Sequence, residues 1–198
     1  MAGVGVRNSE RLARLTDAGL KILAEAGARG LTHRAVDAEA GVPVGTTSNY
    51  FRTRDDLMSA MGNRIFERLA SASMEPDPTL APSLERVVDY VRDIVVRVRL
   101  QPQLTLALLE LRLEANRHPD LAAVLDQTLQ RNYRADVAFH ARAGLPGGGY
   151  EVMLLHFAID GLILDQLTTT IGLDEAEIEH VVADLVQRLV PQDASRAQ

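Results

Sequence analysis

The chain has 198 residues and a mass of 21.6 kDa, enough for one sizeable domain or for a small domain joined to a larger one. Hydrophobic residues make up 46% and charged residues 24%, which is typical of a globular protein, and the absence of cysteine excludes disulfides, cysteine-ligated zinc and thiol nucleophiles. The net charge is −6, but residues 1–55 carry +2 and the remaining residues −8, so only the N-terminal region favours an anionic partner.

The sequence shows no sign of export or membrane insertion. Its opening residues, MAGVGVRNSE, lack the apolar core of a signal sequence. Nowhere do about eighteen apolar residues follow one another, as a membrane-spanning helix requires. We therefore expect a cytoplasmic protein with no membrane partner.

Apolar residues spaced three and four apart predict a first helix over residues 9–26. Asn8 or Ser9 is its candidate N-cap, and glycines follow its end. Thr32 is a suitable N-cap for a second, shorter helix that continues to Ala40. The chain thus begins with an amphipathic helix followed by a short one.

A turn and two more helices are predicted next. Gly41 provides the left-handed conformation that ends a helix, and Val42 is expected to fold inward. A short third helix is predicted over residues 43–50, which needs packing on its neighbours to be stable. Thr53 is the expected cap of a fourth helix over residues 54–74, with acidic residues in its first turn.

Five further helical stretches follow the proline-rich segment EPDPTLAPS, and prolines and glycines separate them. No strand-like alternation and no internal repeat is found, so an all-α fold with about nine helices is predicted. The five stretches are Leu84 to Leu100, Gln103 to Arg117, Pro119 to Ala143, Tyr150 to Ile171, and Asp174 to Val190.

The last two predicted helices indicate a partner. The helix over 150–171 is apolar on more than one face, and the core of a single chain covers only one of them. A two-fold dimer whose helix pairs form a four-helix bundle is the expected solution, and a fully buried central helix in a monomer is the alternative. The last helix carries a continuous stripe of Ile178, Val181, Val182, Leu185, Val186 and Leu189.

The segment THRAVDAEAGVPVGTTSNYF meets the requirements of a helix-turn-helix, in which the second helix lies in the major groove of DNA. The turn contains a glycine and an inward apolar residue. Gly45 allows the backbone to come close to DNA, and the short polar side chains after it suit phosphates and base edges.

Residues 9–62 resemble the DNA-binding domain of the TetR family of bacterial transcriptional repressors. The resemblance covers the first helix, the threonine that opens the second, AGV in the turn, the GTT-centred recognition helix, the YF pair, RTR, and DDLM entering the fourth helix. It implies a helix-turn-helix DNA-binding domain at residues 1–53 and a helical ligand-binding and dimerisation domain at residues 54–198.

Five positions depart from the family pattern. Pro43 replaces a serine N-cap, Val44 stands where lysine or arginine is frequent, Ser48 stands where tyrosine is usual, Asp37 replaces a small apolar residue, and Arg54 replaces lysine. A valine can contact a thymine methyl group where a basic residue would have bound a base or a phosphate. We expect these differences to change which operator is recognised rather than whether DNA is bound.

Carried over residue by residue, the resemblance implies phosphate contacts for Thr32, Tyr50 and Arg54, and base-edge contacts for Arg34 and the recognition helix. Arg52 is expected to clamp the phosphate backbone. The alternative for Thr32 and Arg34 is that they only cap and solvate their helix. The predicted DNA-binding set is Thr32, Arg34, Val44, Gly45, Thr46, Thr47, Ser48, Asn49, Tyr50, Arg52 and Arg54.

Polar residues on otherwise apolar helices are the candidates for an effector site. His156 and Asp160 lie four residues apart on the most apolar helix, where they could line a pocket, meet across a dimer or form a structural hydrogen bond. Two ligands make an incomplete metal site, and no metal or cofactor is predicted. The scarcity of aromatic residues favours an aliphatic or amphipathic effector. The candidates are Tyr90, Arg112, Asn116, Tyr133, His156 and Asp160.

The predicted function is transcriptional regulation. We expect a homodimeric repressor that binds a palindromic double-stranded DNA operator and is released by an unknown small molecule. An activator of the same fold and an interaction module that no longer recognises DNA are the alternatives. An enzyme is disfavoured because a GxxxxGK phosphate loop, GxSxG and HExxH are all missing.

Overall fold

The computed structural model describes residues 2–70, 79–168 and 171–191. These residues form nine α-helices and no β-strand, so the predicted all-α class is confirmed. None of the helices in these ranges combines the length and apolarity that a membrane span requires. The helices are α1 (Ala2–Gly30), α2 (His33–Glu39), α3 (Thr46–Tyr50), α4 (Arg54–Ala70), α5 (Leu84–Leu100), α6 (Pro102–Ala115), α7 (Pro119–Arg142), α8 (Gly149–Leu167) and α9 (Glu175–Leu189).

Helix α1 begins at Ala2 and not at the predicted cap, Asn8 or Ser9. Inside a helix these residues cost only about 0.5 kcal/mol relative to alanine, so they do not force the helix to begin there. Near the other end, Gly27 has a left-handed φ of 63° and interrupts the helical path. The helical path is therefore interrupted directly after the predicted end at Ala26, although α1 continues to Gly30.

The predicted start of α2 and the turn after it are also confirmed. The hydroxyl oxygen of Thr32 accepts a hydrogen bond from the Ala35 N–H at 3.1 Å. Gly41 has a φ of 60°, and Val42 is half-buried against the hydrophobic core of helices α1, α2 and α4. The chain is thereby turned back on itself between α2 and α3.

The recognition helix α3 is shorter than predicted, because it begins at Thr46 and not at Pro43. Residues 43–46 form a turn in which the Thr46 N–H donates to the Pro43 carbonyl at 3.1 Å. Gly45 lies in this turn with φ 91° and ψ −5°. A left-handed residue cannot belong to a right-handed helix, so α3 begins after it.

Helix α4 begins with a reciprocal cap, as predicted. The Asp56 N–H donates to the Thr53 hydroxyl oxygen at 3.0 Å, and the Thr53 N–H donates to the Asp56 carboxylate at 2.9 Å. The predicted end of this helix at Met74 lies outside the described residues.

Helix α8 ends at Leu167, four residues before the predicted end at Ile171. Thr168 leaves the helical conformation, with φ −123° and ψ −115°, and its hydroxyl donates to the Leu164 carbonyl at 2.6 Å. Threonine competes with the helix by such bonds and loses side-chain freedom in it. Thr168 directly follows the last residue of α8, which accounts for the early end.

The described parts of residues 1–71, together with 101–129, form one compact unit. In it α1 packs against α2, α4 and α6. The core of this unit consists of leucine, isoleucine and methionine side chains without solvent exposure, among them Leu15, Leu23 and Met61. This packing makes α1, α4 and α6 the framework on which the helix-turn-helix is carried.

The described parts of residues 72–100 and 130–198 form a second compact unit, in which α5, α8 and α9 pack together. Ile178, Val182 and Val186 of α9 are buried in the core of this unit. The apolar stripe of α9 therefore packs against helices of its own chain. A different apolar face, on α8, stays exposed; its large side chains are Tyr150, Phe157 and Leu164, which are 63%, 63% and 45% exposed.

Candidate nucleic-acid interface

The turn and helix over 44–49 present a mostly polar surface. Ser48 and Asn49 are exposed, and Arg34 and Arg52 are exposed on either side in sequence. Val44 is 80% exposed, which is unusual for a large apolar side chain. These five residues therefore face solvent, as a recognition element requires.

Local hydrogen bonds fix two of the short polar side chains. The Thr46 hydroxyl donates to the Pro43 carbonyl at 2.6 Å, and the Ser48 hydroxyl donates to the Gly45 carbonyl at 2.9 Å. A hydroxyl that donates once keeps its oxygen lone pairs as acceptors. Both oxygens can therefore accept hydrogen bonds from base-edge or water donors.

Thr47 does not present its side chain to solvent, contrary to the prediction that it contacts base edges. It is 0% exposed, and both its N–H and its hydroxyl donate to Asp37, at 2.7 and 2.5 Å. The reason is positional: Thr47 lies on the side of α3 that faces α2, where the Asp37 carboxylate accepts both of these bonds.

Asp37 also belongs to this site. From the sequence it is only a departure from the family pattern, and no structural role is predicted for it. Its side chain is 1% exposed, and it accepts a third hydrogen bond, from the Gly45 N–H at 2.7 Å. The contacts span eight and ten positions along the chain, which no helical periodicity can indicate. The available signal was an acidic residue beside Val36 on the inward face of α2, together with the hydroxyl of Thr47.

The pKa of Asp37 is lowered below its ordinary value of 3.8. Loss of hydration on burial is the largest single influence and acts to raise the pKa. The hydrogen bonds from Thr47 and Gly45 favour the charged form and together outweigh it, and His33, one turn earlier on α2, adds to them. The carboxylate is therefore ionised at neutral pH.

The predicted phosphate contacts differ in how they are placed. Thr32 is exposed at the start of α2, whereas Tyr50 is half-buried and packs against the core of the first unit. Arg54 donates to the Ala28 carbonyl at the end of α1, and its guanidinium lies 3.5 Å from Glu114. Arg54 thus has protein partners, whereas Arg52 is exposed.

Glu114 joins the beginning of α4 to the end of α6. Its carboxylate lies 3.3 Å from Arg117 and 3.6 Å from the Nε2 of His118. The Nδ1 of His118 lies 3.2 Å from Asp55 in the first turn of α4. Through these polar contacts the first turn of α4, which follows the recognition helix, is attached to the framework of its own unit.

The six effector candidates are divided between the units. Arg112 and Asn116 belong to the first unit, where the Asn116 amide donates to the Arg112 carbonyl at 3.2 Å. Tyr90 and Tyr133 belong to the second unit. Tyr90 packs edge-on against Phe139 with ring centroids 4.8 Å apart, and the Tyr133 hydroxyl donates to the Gly149 carbonyl at 2.8 Å.

His156 and Asp160, also in the second unit, lie on the exposed side of α8. The His156 Nε2 and an Asp160 oxygen are 3.7 Å apart, and both side chains are half-exposed. The ring of Phe157 is adjacent to that of His156. Within the described ranges no group of three or more His, Asp or Glu residues is arranged to hold a metal ion.

Two family models match the chain. The model described as "Bacterial regulatory proteins, tetR family" matches residues 15–61, and "Tetracyclin repressor-like, C-terminal domain" matches residues 82–192. The chain belongs to the TetR family. As a member it is a DNA-binding transcriptional regulator of the helix-turn-helix type and not an enzyme.

Solved TetR-family structures share the fold over almost the whole chain. The multidrug binding protein EbrR in complex with imidazole is 29% identical with a TM-score of 0.65, covering 94% of this chain and 98% of that chain. A TetR-family member from Streptomyces coelicolor A3 is 27% identical with a TM-score of 0.65, covering 92% and 99%. This TetR-family chain therefore has the same fold as these two structures from the helix-turn-helix to α9.

A curated relative matches over a shorter stretch. An uncharacterised HTH-type transcriptional regulator encoded in the dhlA 5′ region of Xanthobacter autotrophicus is 31% identical over 77 residues. The match covers 39% of this chain and 38% of that relative, so the chain spans well under half of the relative's length.

The contribution of Asp37 to the free energy of unfolding should depend on pH, because its hydrogen bonds stabilise the charged carboxylate. Because the folded-state pKa is lowered, the contribution is complete above the ordinary value of 3.8 and is lost as the pH falls through the lower folded value. Asp37→Asn should reduce the free energy of unfolding by about 1–3 kcal/mol at pH 7. Urea unfolding of both proteins between pH 7 and pH 3 should show this difference shrinking at the acid end.

Glu39→Gln is the matched control, since Glu39 lies on the same helix and pairs on the surface with Lys21 at 2.7 Å. This variant should change the free energy of unfolding by less than about 1 kcal/mol. An Asp37→Asn difference that is as large at pH 3 as at pH 7 would show that the carboxylate charge is not what stabilises the turn.

Proposed function

We propose that the protein is a homodimeric repressor that binds a palindromic operator through α3 and is released from it by a small molecule, acting in the cytoplasm. In this proposal residues 1–53 bind DNA and residues 54–198 bind the effector and dimerise. The observation that supports this most directly is that Val44, Ser48 and Asn49 are exposed while the helices that carry them pack into a hydrophobic core, since a helix-turn-helix inserts such an element into the major groove.

The exposed side chains suggest a division of contacts with DNA. Ser48 and Asn49 carry the hydrogen-bonding groups suited to base edges, and Arg34 lies at the start of α2. Val44 has no hydrogen-bonding side chain, so its exposed methyl groups suit the methyl group of a thymine. Arg52 is assigned to the phosphate backbone.

Arg52→Gln should weaken binding to the operator and to unrelated DNA alike. Removing one phosphate-binding cation lowers the slope of log affinity against log salt concentration by about one, so a dimer with two half-sites should show a slope smaller by about two. Fluorescence anisotropy with the intergenic DNA upstream of the gene, over a range of salt concentrations, measures both quantities.

Arg131→Gln is the matched control, because Arg131 is exposed on α7 and the substitution changes the net charge equally. Its salt slope should equal that of the wild type.

If the wild type binds no fragment of the upstream DNA even at low salt, the DNA-binding proposal fails as a whole. If transcription from a promoter overlapping the bound site rises on addition of the protein, the activator alternative is supported instead.

The exposed face of α8 supports dimerisation. Tyr150, Phe157 and Leu164 are spaced seven residues apart, which places them in one stripe along the helix. Gly161 lies between the last two, and a Cβ built on it meets nothing within 4 Å. A stripe of large apolar residues with a small residue beside it suits the close approach of a second copy of α8 about a two-fold axis.

Phe157→Glu should convert the dimer to monomer without unfolding it, because this side chain is mostly exposed in the single chain. A two-fold interface contains the residue twice, so removing about 1.5 kcal/mol of apolar burial per copy weakens the dimer by at least about a hundredfold. Sedimentation velocity measures the oligomeric state, and operator affinity should fall with it.

Leu113→Glu is the control, since Leu113 is 61% exposed on α6 of the first unit and receives the same charge. This variant should remain dimeric. A wild-type protein that sediments as a monomer at micromolar concentration, or a Phe157→Glu variant that remains dimeric, would contradict the assignment of the α8 stripe.

Release by a small molecule is supported by relatives and by the composition of the second unit. EbrR has been crystallised with imidazole, proflavin, malachite green and ethidium. In this chain the ring of Tyr90 is already covered: Phe139 packs edge-on against it, and the Arg86 guanidinium lies 5.7 Å from its centroid. With eight phenylalanine and tyrosine residues and no tryptophan in the chain, an aliphatic or amphipathic effector fits better than a flat cationic dye.

We therefore expect aliphatic amphipathic compounds to raise the thermal stability of the protein and to dissociate the operator complex. A ligand at about a hundred times its Kd adds about 2.7 kcal/mol to the free energy of unfolding. Proflavin and ethidium should produce neither effect. Thermal shift and anisotropy with the same compounds measure the two responses, and dissociation by the dyes alone would contradict the expected effector class.

A further inference from the structure

The recognition helix lacks the usual means of fixing its own beginning. Helix α3 has five residues, Thr46–Tyr50, and its N-cap is Gly45, which has no side chain to bind the free N–H groups of the first turn. A helix of this length is not stable by itself. Its orientation must therefore come from contacts with other elements.

Asp37 supplies these contacts from α2. One carboxylate oxygen accepts the Gly45 N–H at 2.7 Å, and the other accepts the Thr47 N–H and hydroxyl at 2.7 and 2.5 Å. Hydrogen bonds to a carboxylate are stronger than those between neutral groups, and here they are shielded from water because both side chains are buried. One side chain thus holds the turn before α3 and the first turn of α3 at the same time.

We propose that Asp37 and Thr47 form a buried clamp that sets the orientation of the recognition helix, so that discrimination between operator and unrelated DNA depends on this carboxylate and hydroxyl pair. The inference rests on the proposed function, because it assumes that α3 contacts base edges. Asp37 is a positioning residue in this scheme, since its carboxylate contacts the protein and is not available to DNA.

The clamp is separable from the packing of the helix that carries it. Val36 and Ala40 of α2 are buried in the hydrophobic core of the first unit. The hydrogen-bonded partners of Asp37, in contrast, lie in the turn and the first turn of α3. Removing the carboxylate should therefore leave α2 in place and release the start of α3.

The experiment compares operator and unrelated DNA as ligands of the full-length protein at a temperature where circular dichroism shows every variant folded. Asp37→Asn turns an acceptor of the Gly45 or Thr47 N–H into a donor, and operator affinity should fall by at least about tenfold. Affinity for unrelated DNA depends on cations and should change less than about threefold. Removing a negative charge by itself favours binding to any DNA. A loss of operator affinity in Asp37→Asn therefore cannot result from the change in charge.

Three further single variants and one double variant complete the design. Glu39→Gln removes the same charge from the exposed side of α2 and should bind the operator like the wild type. Thr47→Val removes the hydroxyl and keeps the shape, and Thr47→Ser keeps the hydroxyl. If the clamp acts as a unit, Thr47→Ser retains discrimination, Thr47→Val loses part of it, and Asp37→Asn with Thr47→Val is no worse than Asp37→Asn alone.

The inference is overturned if Asp37→Asn discriminates like the wild type, if Glu39→Gln loses as much as Asp37→Asn, or if the effects of the two clamp positions add. If Asp37→Asn does not fold, the contrast between Thr47→Ser and Thr47→Val decides the question. If the wild type does not distinguish operator from unrelated DNA, the proposed function itself fails. If the wild type and the clamp variants all distinguish them, only the clamp inference fails.

Discussion

The N–H groups at the beginning of a helix have no partner within it, and in a helix of five residues they are a large share of the backbone. In α3 this requirement is met from outside. The buried carboxylate of Asp37 accepts from Gly45 and Thr47, so a charged side chain of α2 binds N–H groups at the beginning of the next helix. The exposed positions of the recognition element, such as Val44 and Asn49, depend on that attachment because their own side chains are not packed into the core.

The helix-turn-helix is carried by a unit larger than its own three helices. Helix α6 packs against α1 and α4 in the same core, and Glu114 near its end lies beside Arg54 and His118. Arg54 also binds the carbonyl of Ala28 at the end of α1. A basic residue that the family pattern assigns to DNA is thus engaged by the protein, whereas Arg52 is exposed.

Charge and apolar surface are distributed differently along the chain. Residues 1–55 carry +2 and the rest −8, so repulsion from DNA phosphates acts against the remainder and favours approach through the N-terminal region. In the second unit, the stripe of α9 is used for the core, while α8 keeps Tyr150, Phe157 and Leu164 exposed. The exposed polar residues around α3 and the exposed apolar stripe of α8 therefore belong to different units.

Local patterns determined most of the secondary structure from the sequence alone. Helix α5 begins and ends at the predicted residues, and Thr32 and Thr53 are caps as expected, because caps, apolar spacing and prolines act over a few neighbouring positions. The tertiary structure alone decided that α3 begins after Gly45 and that Thr47 faces inward. Gly45 and Thr47 both donate hydrogen bonds to a carboxylate eight to ten residues away, and a contact at that separation has no counterpart in helical periodicity.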